Sequence, residues 1–212
     1  SKGIPEFFGY NPMEDIQVLT PMRKGECGTI ALNRRLQEVL NPPSPEKPEL
    51  TLAGGDETRV FRLGDRVMQI KNNYDNRVFN GDMGRIVSVD REQHSFRVAF
   101  DSETVVYRSN DCKELLHAYA ITIHKSQGCE FPVVVTPLLG QHYVMLQRNL
   151  LYTAITRAKR LYILTGSSQA VRRAVQNNTP MTRMTRLAWR LKNPGVAPRR
   201  ERNPRQQEFD GI

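Results

Sequence analysis

A helix-free block set inside a strand–helix pattern is the feature of this sequence that most limits its possible folds. Residues 58–112 contain several short strand-like runs, separated by turn residues at a spacing of roughly ten residues, and no helical periodicity. On either side of this block, apolar runs typical of buried strands alternate with amphipathic helical segments. Such alternation is typical of a parallel sheet covered by helices. The sequence therefore predicts an α/β domain that is interrupted by a small all-β domain.

The block has the pattern of a small SH3-like β-barrel. Strands are predicted at 61–70, 83–89, 95–100 and 104–107, and Asn80-Gly81 supplies a turn signal before the second of them. Several short strands without intervening helices favour a barrel that closes on itself.

Outside the barrel, the chain divides into three further parts. Residues 1–57 are predicted to form the first part of the α/β domain and a linker, residues 113–178 its second part, and residues 179–212 a basic, flexible tail. The linker is predicted from the Pro and Gly residues between positions 42 and 55. The predicted elements are a strand at 16–21, a helix at 29–40, a helical segment from about 116 to 125, a strand at 131–136, a helix at 143–159, a strand at 161–165 and a helix at 167–176.

Two predicted helices carry apolar residues at helical spacing, and we expect these residues to face the sheet. In the helix at 29–40 they are Ile30, Leu32, Leu36, Val39 and Leu40. In the helix at 143–159 they are Val144, Leu151, Ile155 and Ala158. A further helical turn is predicted in the tail, around Leu187, Trp189 and Leu191.

The charge of the chain is unevenly distributed. The sequence has 31 basic and 22 acidic residues, which gives a net charge of +9, and 23 of the basic residues are Arg. Residues 163–212 carry 10 basic and 3 acidic residues, and therefore +7 of that total. An Arg-rich segment favours a phosphate-bearing partner such as nucleic acid, although a solvated tail without a partner fits the same composition.

The cysteines and the apolar runs limit the class of protein. Cys27, Cys112 and Cys129 are widely spaced, and the sequence has neither a Cys-x-x-Cys pair nor a His pair at zinc-ligand spacing, so no disulfide framework and no metal site are predicted. No apolar run approaches the roughly 20 residues that a membrane span needs. We therefore expect a cytoplasmic protein with reduced thiols and no membrane contact.

Residues 118–131 combine side chains suited to the phosphates of a single nucleic-acid strand. Thr122 and Ser126 share one face of the predicted helical segment, which we expect to end near Lys125. Hydroxyl groups, the imidazole of His124 and the free N–H groups of the following turn can all donate to phosphate oxygens. A histidine buried in the core is the alternative interpretation of His124.

Residues 148–158 place polar side chains on one ridge of a predicted helix. Asn149, Thr153 and Arg157 follow one another at intervals of four residues. Packing of the opposite, apolar face would hold this ridge rigidly, so that the guanidinium of Arg157 projects toward a phosphate. The alternative is an arginine that lies along the surface of an ordinary amphipathic helix.

These two segments resemble motifs V and VI of the superfamily 1 DNA helicases, in the form found in the RecD-like branch, the family of the exodeoxyribonuclease V alpha chain. Residues 17–25, with Leu32-Asn33 and Leu36-Gln37, resemble the motif IV region of that family. Residues 67–82 resemble its inserted SH3-like domain. The four stretches follow the order of the family, and the chain is similar to its C-terminal motor lobe.

The resemblance implies a RecA-like lobe of the P-loop NTPase type, without the P-loop, interrupted by the SH3-like barrel. It also implies an ATP-dependent DNA helicase that uses ATP and Mg²⁺, with 5′-to-3′ movement as the usual direction of the family. The sequence contains no Gly-x-x-x-x-Gly-Lys-Ser/Thr, so an N-terminal motor lobe would bind most of the nucleotide, and this chain alone is expected to be inactive. The implied partners are single-stranded DNA, that N-terminal lobe and the other subunits of a nuclease–helicase complex.

The resemblance also implies roles for individual residues. Arg157 matches the arginine finger that neutralises charge during phosphoryl transfer. Arg23, Gly128 and Glu130 are also expected at the nucleotide, although a solvated loop charge is the alternative for Arg23. The residues expected to contact DNA are Thr122, His124, Lys125 and Ser126 in motif V, and Asn73 and Tyr74 in the barrel.

Three alternatives remain open from the sequence. Tyr74 and Phe79 flank an Asn-rich loop and can form a platform for bases, but Phe79 fits the barrel core equally well. The whole chain also fits a non-catalytic nucleic-acid-binding module that retains the lobe without the motor. An SH3-like adaptor for peptides is less well supported, because a Pro-binding groove needs several exposed aromatic residues.

Overall fold

The computed structural model describes residues 3–54, 57–101, 103–108, 111–178 and 191–192. Most of the predicted tail at 179–212, with its helical turn around Leu187 and Trp189, lies outside these residues. The described part contains a parallel sheet with helices and a curled antiparallel sheet, which confirms the predicted fold class. None of its helices is long and apolar enough to cross a membrane.

The elements are numbered in chain order. The strands are β1 (Ile16–Thr20), β2 (Glu49–Gly54), β3 (Glu57–Arg62), β4 (Arg66–Gln69), β5 (Met83–Asp90), β6 (Ser95–Phe100), β7 (Thr104–Arg108), β8 (Leu115–His117), β9 (Ala120–Thr122), β10 (Phe131–Leu138) and β11 (Ala158–Gly166). The helices are α1 (Gly3–Phe8), α2 (Thr29–Leu40), α3 (Arg148–Ile155) and α4 (Ser168–Gln176). Three 3₁₀ turns span Asp111–Glu114, Ile123–Ser126 and Gly140–Met145.

The parallel sheet has the strand order β11-β10-β1-β9. Its inner strand β10 is rich in β-branched residues, and Val133 and Val134 are fully buried, as expected for a strand covered on both faces. Strands β1 and β9 are neighbours in the sheet although the whole barrel lies between them in sequence, since Val18 pairs with Ala120. The barrel is therefore an insertion into the α/β lobe.

The barrel sheet has the order β7-β6-β5-β4-β8. Its core contains the stacked rings of Phe96 and Tyr107, whose centroids are 5.9 Å apart. Strands β5 and β6 approach closely at Gly84, where an added Cβ would lie 2.6 Å from Cγ1 of Val98 and 2.8 Å from the carbonyl oxygen of Ala99. Only glycine fits this crossing.

Part of the predicted linker is a strand. β2 pairs with β3 in an antiparallel hairpin, and Leu50 and Leu52 of β2 are buried in the same core as Phe61 of β3. The alternation of Leu50 and Leu52 with polar residues is a strand signal, but the prolines and glycines around it led to the wrong prediction of a linker.

The predicted helical segment at 116–125 is also wrong. Residues 115–117 form β8, which pairs with β4 of the barrel, and residues 120–122 form β9, which pairs with β1 of the lobe. Within this segment, only Ile123–Ser126 is helical, and it forms a 3₁₀ turn. Both pairings join segments that are distant in sequence, and they override the local helical periodicity.

The predicted helix at 143–159 is shorter in the structure. It begins at Arg148, after a separate 3₁₀ turn, and ends at Ile155. The carbonyl of Arg157 already accepts a strand bond from the amide of Phe131, at 2.8 Å, so the chain has left the helix at that point. As a result, Val144 and Ile155 are exposed rather than turned inward.

Helix α2 has the predicted bounds, but its buried face is polar. Asn33 and Gln37 are buried, whereas Ile30 and Val39 of the predicted apolar face are exposed. The amide side chain of Asn33 bonds both the N–H and the C=O of Ala120 in β9, each at 2.8 Å. The helix is thus fixed to the sheet by hydrogen bonds from its buried polar face.

Asp65, in the turn between β3 and β4, is fully buried and joins three parts of the fold. Its Oδ1 accepts from Nδ2 of Asn41 at 2.7 Å and from the hydroxyl of Tyr119 at 2.7 Å. Its Oδ2 accepts from Nε2 of Gln37 at 2.6 Å and from the amide of Arg62 at 2.8 Å. A single carboxylate therefore binds the end of α2, the barrel turn and the segment that returns to the lobe.

His117 completes this network, with Nε2 located 3.3 Å from Oδ2 of Asp65. Burial by itself would raise the pKa of Asp65. The hydrogen bond and charge of His117 lower it, as do the bonds from Arg62 and Asn41, and together they outweigh the effect of burial. The pKa of Asp65 is consequently held below its ordinary value. The carboxylate is ionised at neutral pH.

Arg66 forms a second junction between barrel and lobe. From β4 its guanidinium donates to the carbonyl of Ile16 at 3.1 Å and to Oε1 of Gln17 at 2.8 Å, both in β1. Nε2 of the buried Gln17 in turn donates to the carbonyls of Ala118 and Tyr119. Burial lowers the pKa of Arg66 to about 10, which still leaves it charged at neutral pH.

We expect the substitution Asp65→Ala to lower the free energy of unfolding by about 3–5 kcal/mol, because it leaves His117 and several buried donors without their acceptor. Urea denaturation followed by circular dichroism measures this change. Asp101→Ala, at an exposed aspartate of the barrel, is the control and should stay within about 0.5 kcal/mol of wild type. A change below about 1 kcal/mol for Asp65→Ala would contradict the role of the carboxylate.

The network should also give the protein an acid-sensitive component of stability. Because the pKa of Asp65 is lower in the folded state than its ordinary value of about 4, its stabilisation is complete above that value and disappears as the pH falls through the folded-state pKa. The difference in unfolding free energy between wild type and Asp65→Asn should therefore shrink between about pH 5 and pH 2. Urea titrations across this range test it, and a constant difference would show that Asp65 is not the titrating group.

Candidate functional site

Apart from Asn73 and Tyr74 in the barrel, the predicted site residues fall into two groups at opposite edges of the parallel sheet. Arg157 lies beside Phe131, at the start of β10. Val18 pairs with Val135 of the same strand, so Thr20 lies level with position 137, six residues further along β10. Six strand residues correspond to about 20 Å. Arg23, which follows Thr20, therefore does not lie beside Arg157, and the two cannot share one phosphate within this lobe.

The first group, here called the carboxyl-edge cluster, consists of Arg23, Thr122, His124 and Lys125. These residues follow the ends of β1 and β9, the edge at which open α/β sheets bind ligands. Oγ1 of Thr122 caps the 3₁₀ turn by accepting from the amide of Lys125 at 3.3 Å. His124 is exposed, which excludes the alternative of a core histidine.

The cations of this cluster lie close together. Burial, and then the charge of Arg23, lower the pKa of Lys125 from its ordinary value. In the part of the chain that the structure describes, neither Arg23 nor Lys125 forms an ion pair with a carboxylate. An anion bound between them would relieve their mutual repulsion.

Ser126 does not fit its predicted contact with DNA. Its side chain is fully buried, and its hydroxyl donates to the carbonyl of Ile123 at 2.7 Å. The residue closes the 3₁₀ turn from inside, so its role is to shape the turn that presents His124 and Lys125.

The second group, here called the amino-edge cluster, consists of Gly128, Cys129, Glu130 and Arg157. Arg157 lies in the turn after α3 and not on the predicted helical ridge. Its Nη1 donates to the carbonyl of Cys129 at 3.0 Å, and its Nη2 donates to Oγ1 of Thr156 at 3.3 Å. These bonds give the guanidinium a fixed position.

Gly128 leaves room for a ligand at this cluster, and Arg157 has unused hydrogen-bonding capacity. Nε of Arg157 is buried and has no hydrogen-bond partner among the described residues. Gly128 adopts a φ of +86°, which favours glycine, and nothing lies within 4 Å of the place where its Cβ would be. Glu130 is exposed and pairs with Lys159, at 3.3 Å.

The surroundings of Cys129 disfavour its thiolate form. Burial raises the pKa of Cys129, and the charge of Arg157 opposes this effect. Asp82, in the loop 70–82 between β4 and β5, here called the barrel loop, raises it further. The influence of Asp82, and the packing of Met83 in the core that Cys129 borders, show that the base of the barrel loop is near the amino-edge cluster.

The barrel loop presents an exposed aromatic pair. Tyr74 is 75% exposed and contacts Phe79 edge to face, with ring centroids 5.9 Å apart. Phe79 is 44% exposed, which excludes the core alternative, and the buried residue of the loop is Val78. Oδ1 of Asn73 accepts from the amide of Asn76 at 3.1 Å, so this side chain orders the loop.

A groove of about 730 Å³ between α2 and β3 was not predicted from the sequence. It could not be found without the β2–β3 hairpin, which forms one of its walls. The residues that line this groove include Arg23, Arg34, Arg59, Ile70, Leu116 and Lys125. Among the described residues, no group of three His, Cys, Asp or Glu side chains could hold a metal ion.

Two family models match separate segments of the chain. Residues 32–100 match the ATP-dependent RecD-like DNA helicase SH3 domain, which includes the second half of α2, the hairpin and most of the barrel. Residues 117–165 match the UvrD-like helicase C-terminal domain, which includes both the 3₁₀ turn of the carboxyl-edge cluster and Arg157.

Characterised proteins match over most of the chain. The ATP-dependent RecD2 DNA helicase of Deinococcus radiodurans is 39% identical over 155 residues, which are 73% of this chain and 20% of that protein. The RecBCD enzyme subunit RecD of Mycolicibacterium smegmatis is 30% identical over 184 residues, which are 87% of this chain and 30% of that subunit. The chain thus spans between a fifth and a third of the length of these relatives.

A solved structure supports the fold. The Pif1 helicase from Bacteroides, in complex with ADP-AlF3 and single-stranded DNA, superposes with a TM-score of 0.51 at 17% identity. The match covers 84% of this chain and 46% of that one. The fold, a barrel inserted in a parallel-sheet lobe, agrees with the two matched domains and with the similarity to RecD proteins. The chain therefore belongs to the RecD-like family of DNA helicases.

Proposed function

We propose that this chain is the C-terminal motor lobe of an ATP-dependent DNA helicase, with the arginine finger at its amino-edge cluster and contacts to single-stranded DNA at its carboxyl-edge cluster. The observation that carries the proposal is the position of Arg157, whose guanidinium is fixed by the carbonyl of Cys129 while its buried Nε lacks an acceptor among the described residues. A rigid cation with unused hydrogen-bonding capacity suits a phosphoryl group.

The amino-edge cluster would supply part of a nucleotide site. ATP with Mg²⁺ would bring the phosphoryl group whose transfer drives the motor, and a P-loop lobe in the same protein would bind most of it. Arg157 would neutralise charge on the terminal phosphate, and the open space at Gly128 would let the nucleotide approach the backbone. Glu130 would exchange Lys159 for a polar group of the nucleotide.

The carboxyl-edge cluster would bind the phosphates of the strand. Lys125 and Arg23 supply positive charge that no carboxylate of the described residues neutralises, and His124 is exposed on the same turn. Tyr74 and Phe79 would add stacking on the bases from the barrel side. The RecD-like branch usually moves in the 5′-to-3′ direction, and we propose that direction here.

One short segment would couple the two clusters. Residues 122–130 run from the phosphate-binding turn to the carbonyl that holds Arg157. When a phosphate binds the guanidinium of Arg157, it would weaken the bond to the carbonyl of Cys129, and the change would reach Lys125 through four residues. Nucleotide binding would in this way alter the grip on DNA.

We expect Arg157→Ala to reduce DNA-stimulated ATP hydrolysis by the full-length protein about 10³- to 10⁵-fold, the effect of removing an arginine finger. Single-strand binding should stay close to wild type, because Arg157 lies at the other edge of the sheet from the DNA contacts. Arg157→Lys should restore little, since an ammonium lacks the planar fork.

The matched control for this experiment is Arg160→Ala, an exposed arginine three residues further on in β11. This control should hydrolyse ATP near the wild-type rate. A rate for Arg157→Ala within about tenfold of wild type would remove Arg157 from the proposed mechanism.

We also expect the 212-residue chain by itself to show no DNA-stimulated ATP hydrolysis. It contains no Gly-x-x-x-x-Gly-Lys-Ser/Thr with which to hold the β-phosphate. A coupled-enzyme assay of the purified chain with Mg²⁺ and oligonucleotide measures this directly. If the purified chain hydrolysed ATP and Arg157→Ala abolished this activity, the proposed division of the nucleotide site between two lobes would be contradicted.

A further inference from the structure

We propose that the groove between α2 and β3 holds unpaired bases of the bound strand. This inference rests on the proposed function and extends it, because it adds a site for bases to the clusters that contact phosphates. The groove measures about 730 Å³, within the range of pockets that bind small organic ligands.

The floor of the groove is apolar. Ile70 and Leu116 are half-buried at its base, and Met68 and Ile121 lie beneath them with almost no exposure. A nucleobase presents a large flat face that gains free energy when it leaves water for such a surface. The floor therefore suits the base and not the phosphate.

The rim of the groove is cationic. Its lining includes Arg34 on α2, Arg59 on β3, Arg23 and Lys125, and these cations outnumber Glu38, the one acidic residue among the described residues that line it. Arg59 is anchored by a bond to the carbonyl of Leu115 at 3.0 Å, and within the described ranges Arg34 forms no ion pair. An apolar floor under a cationic rim matches a nucleotide, with its base inside and its phosphate at the edge.

The mouth of the groove opens at the carboxyl-edge cluster. Thr122 and Lys125 line both the groove and the turn that we propose to bind phosphates. A strand held at that turn can therefore direct its bases between the helix and the hairpin without leaving the cluster. A duplex cannot insert its bases between the helix and the hairpin while they remain paired, so the groove makes the site specific for single strands.

Helix α2 supplies a matched pair of variants. Arg34 lines the groove, whereas its neighbour Arg35 does not, and both are exposed on the same helix. For the 212-residue chain and a fluorescent oligo-dT, we expect Arg34→Glu to weaken binding about tenfold or more and Arg35→Glu to weaken it less than about threefold. The slope of log K against log salt concentration should become shallower by about 0.7 for each phosphate that the variant no longer binds, and only in Arg34→Glu.

An oligonucleotide with abasic positions tests the claim about bases, because it keeps every phosphate. Stacking of one base contributes about 1–3 kcal/mol, or roughly 5- to 150-fold in affinity. The measurement is made in the double variant Tyr74→Ala/Phe79→Ala, so that stacking on the barrel loop does not contribute. The abasic oligonucleotide should still bind more weakly than oligo-dT in that variant.

The outcomes separate the two proposals. Failure of the unmodified chain to bind oligo-dT would overturn the proposed DNA contacts, and the groove with them. Equal weakening by Arg34→Glu and Arg35→Glu would overturn the groove alone. Equal affinity of Tyr74→Ala/Phe79→Ala for the abasic strand and for oligo-dT would do the same.

Discussion

The buried carboxylate of Asp65 is the interaction on which the rest of the structure depends. An antiparallel barrel inserted between two neighbouring strands of a parallel sheet needs a defined orientation, and apolar packing alone is not directional. Asp65 supplies the direction, because its two oxygens accept from α2, from its own turn and from the segment that returns to β9. The bonds from Gln37, Asn41 and Tyr119 break if the barrel rotates against the lobe, and a buried charge that loses partners is costly.

The same network sets the walls of the groove. Gln37 of α2 donates both to Asp65 and to the carbonyl of Val60 in β3, so the helix and the hairpin are held at a fixed separation. Hydrogen bonds are directional, so these bonds fix the position of the helix relative to the hairpin that forms one wall of the groove. The polar inner face of α2 therefore has a functional reason within the proposed function.

The sequence predicted those parts of the fold whose signals are local. The β-branched run of β10 and the alternation in β6 and β7 identify strands without knowledge of their neighbours. β8 and β9 were predicted as helix because their strand partners lie far away in sequence, at Met68 and Val18. The predicted site showed the same limit: Arg157 and His124 were predicted from motifs, but the burial of Ser126 and the separation of Arg23 from Arg157 depend on long-range pairing.

That separation has a mechanical consequence for the proposed motor. The two clusters lie about 20 Å apart along β10, so no side chain can contact a nucleotide and the strand at once. The connection between them is residues 122–130, which Ile123 and Ser126 anchor in the interior. Anchors at the centre of this segment restrict it to small shifts of a closed turn, and such shifts change the positions of His124 and Lys125 without unfolding it. A motor lobe built in this way would convert a local change at Arg157 into a movement of the DNA contacts of less than one nucleotide spacing, and a full step would require the motion of the second lobe.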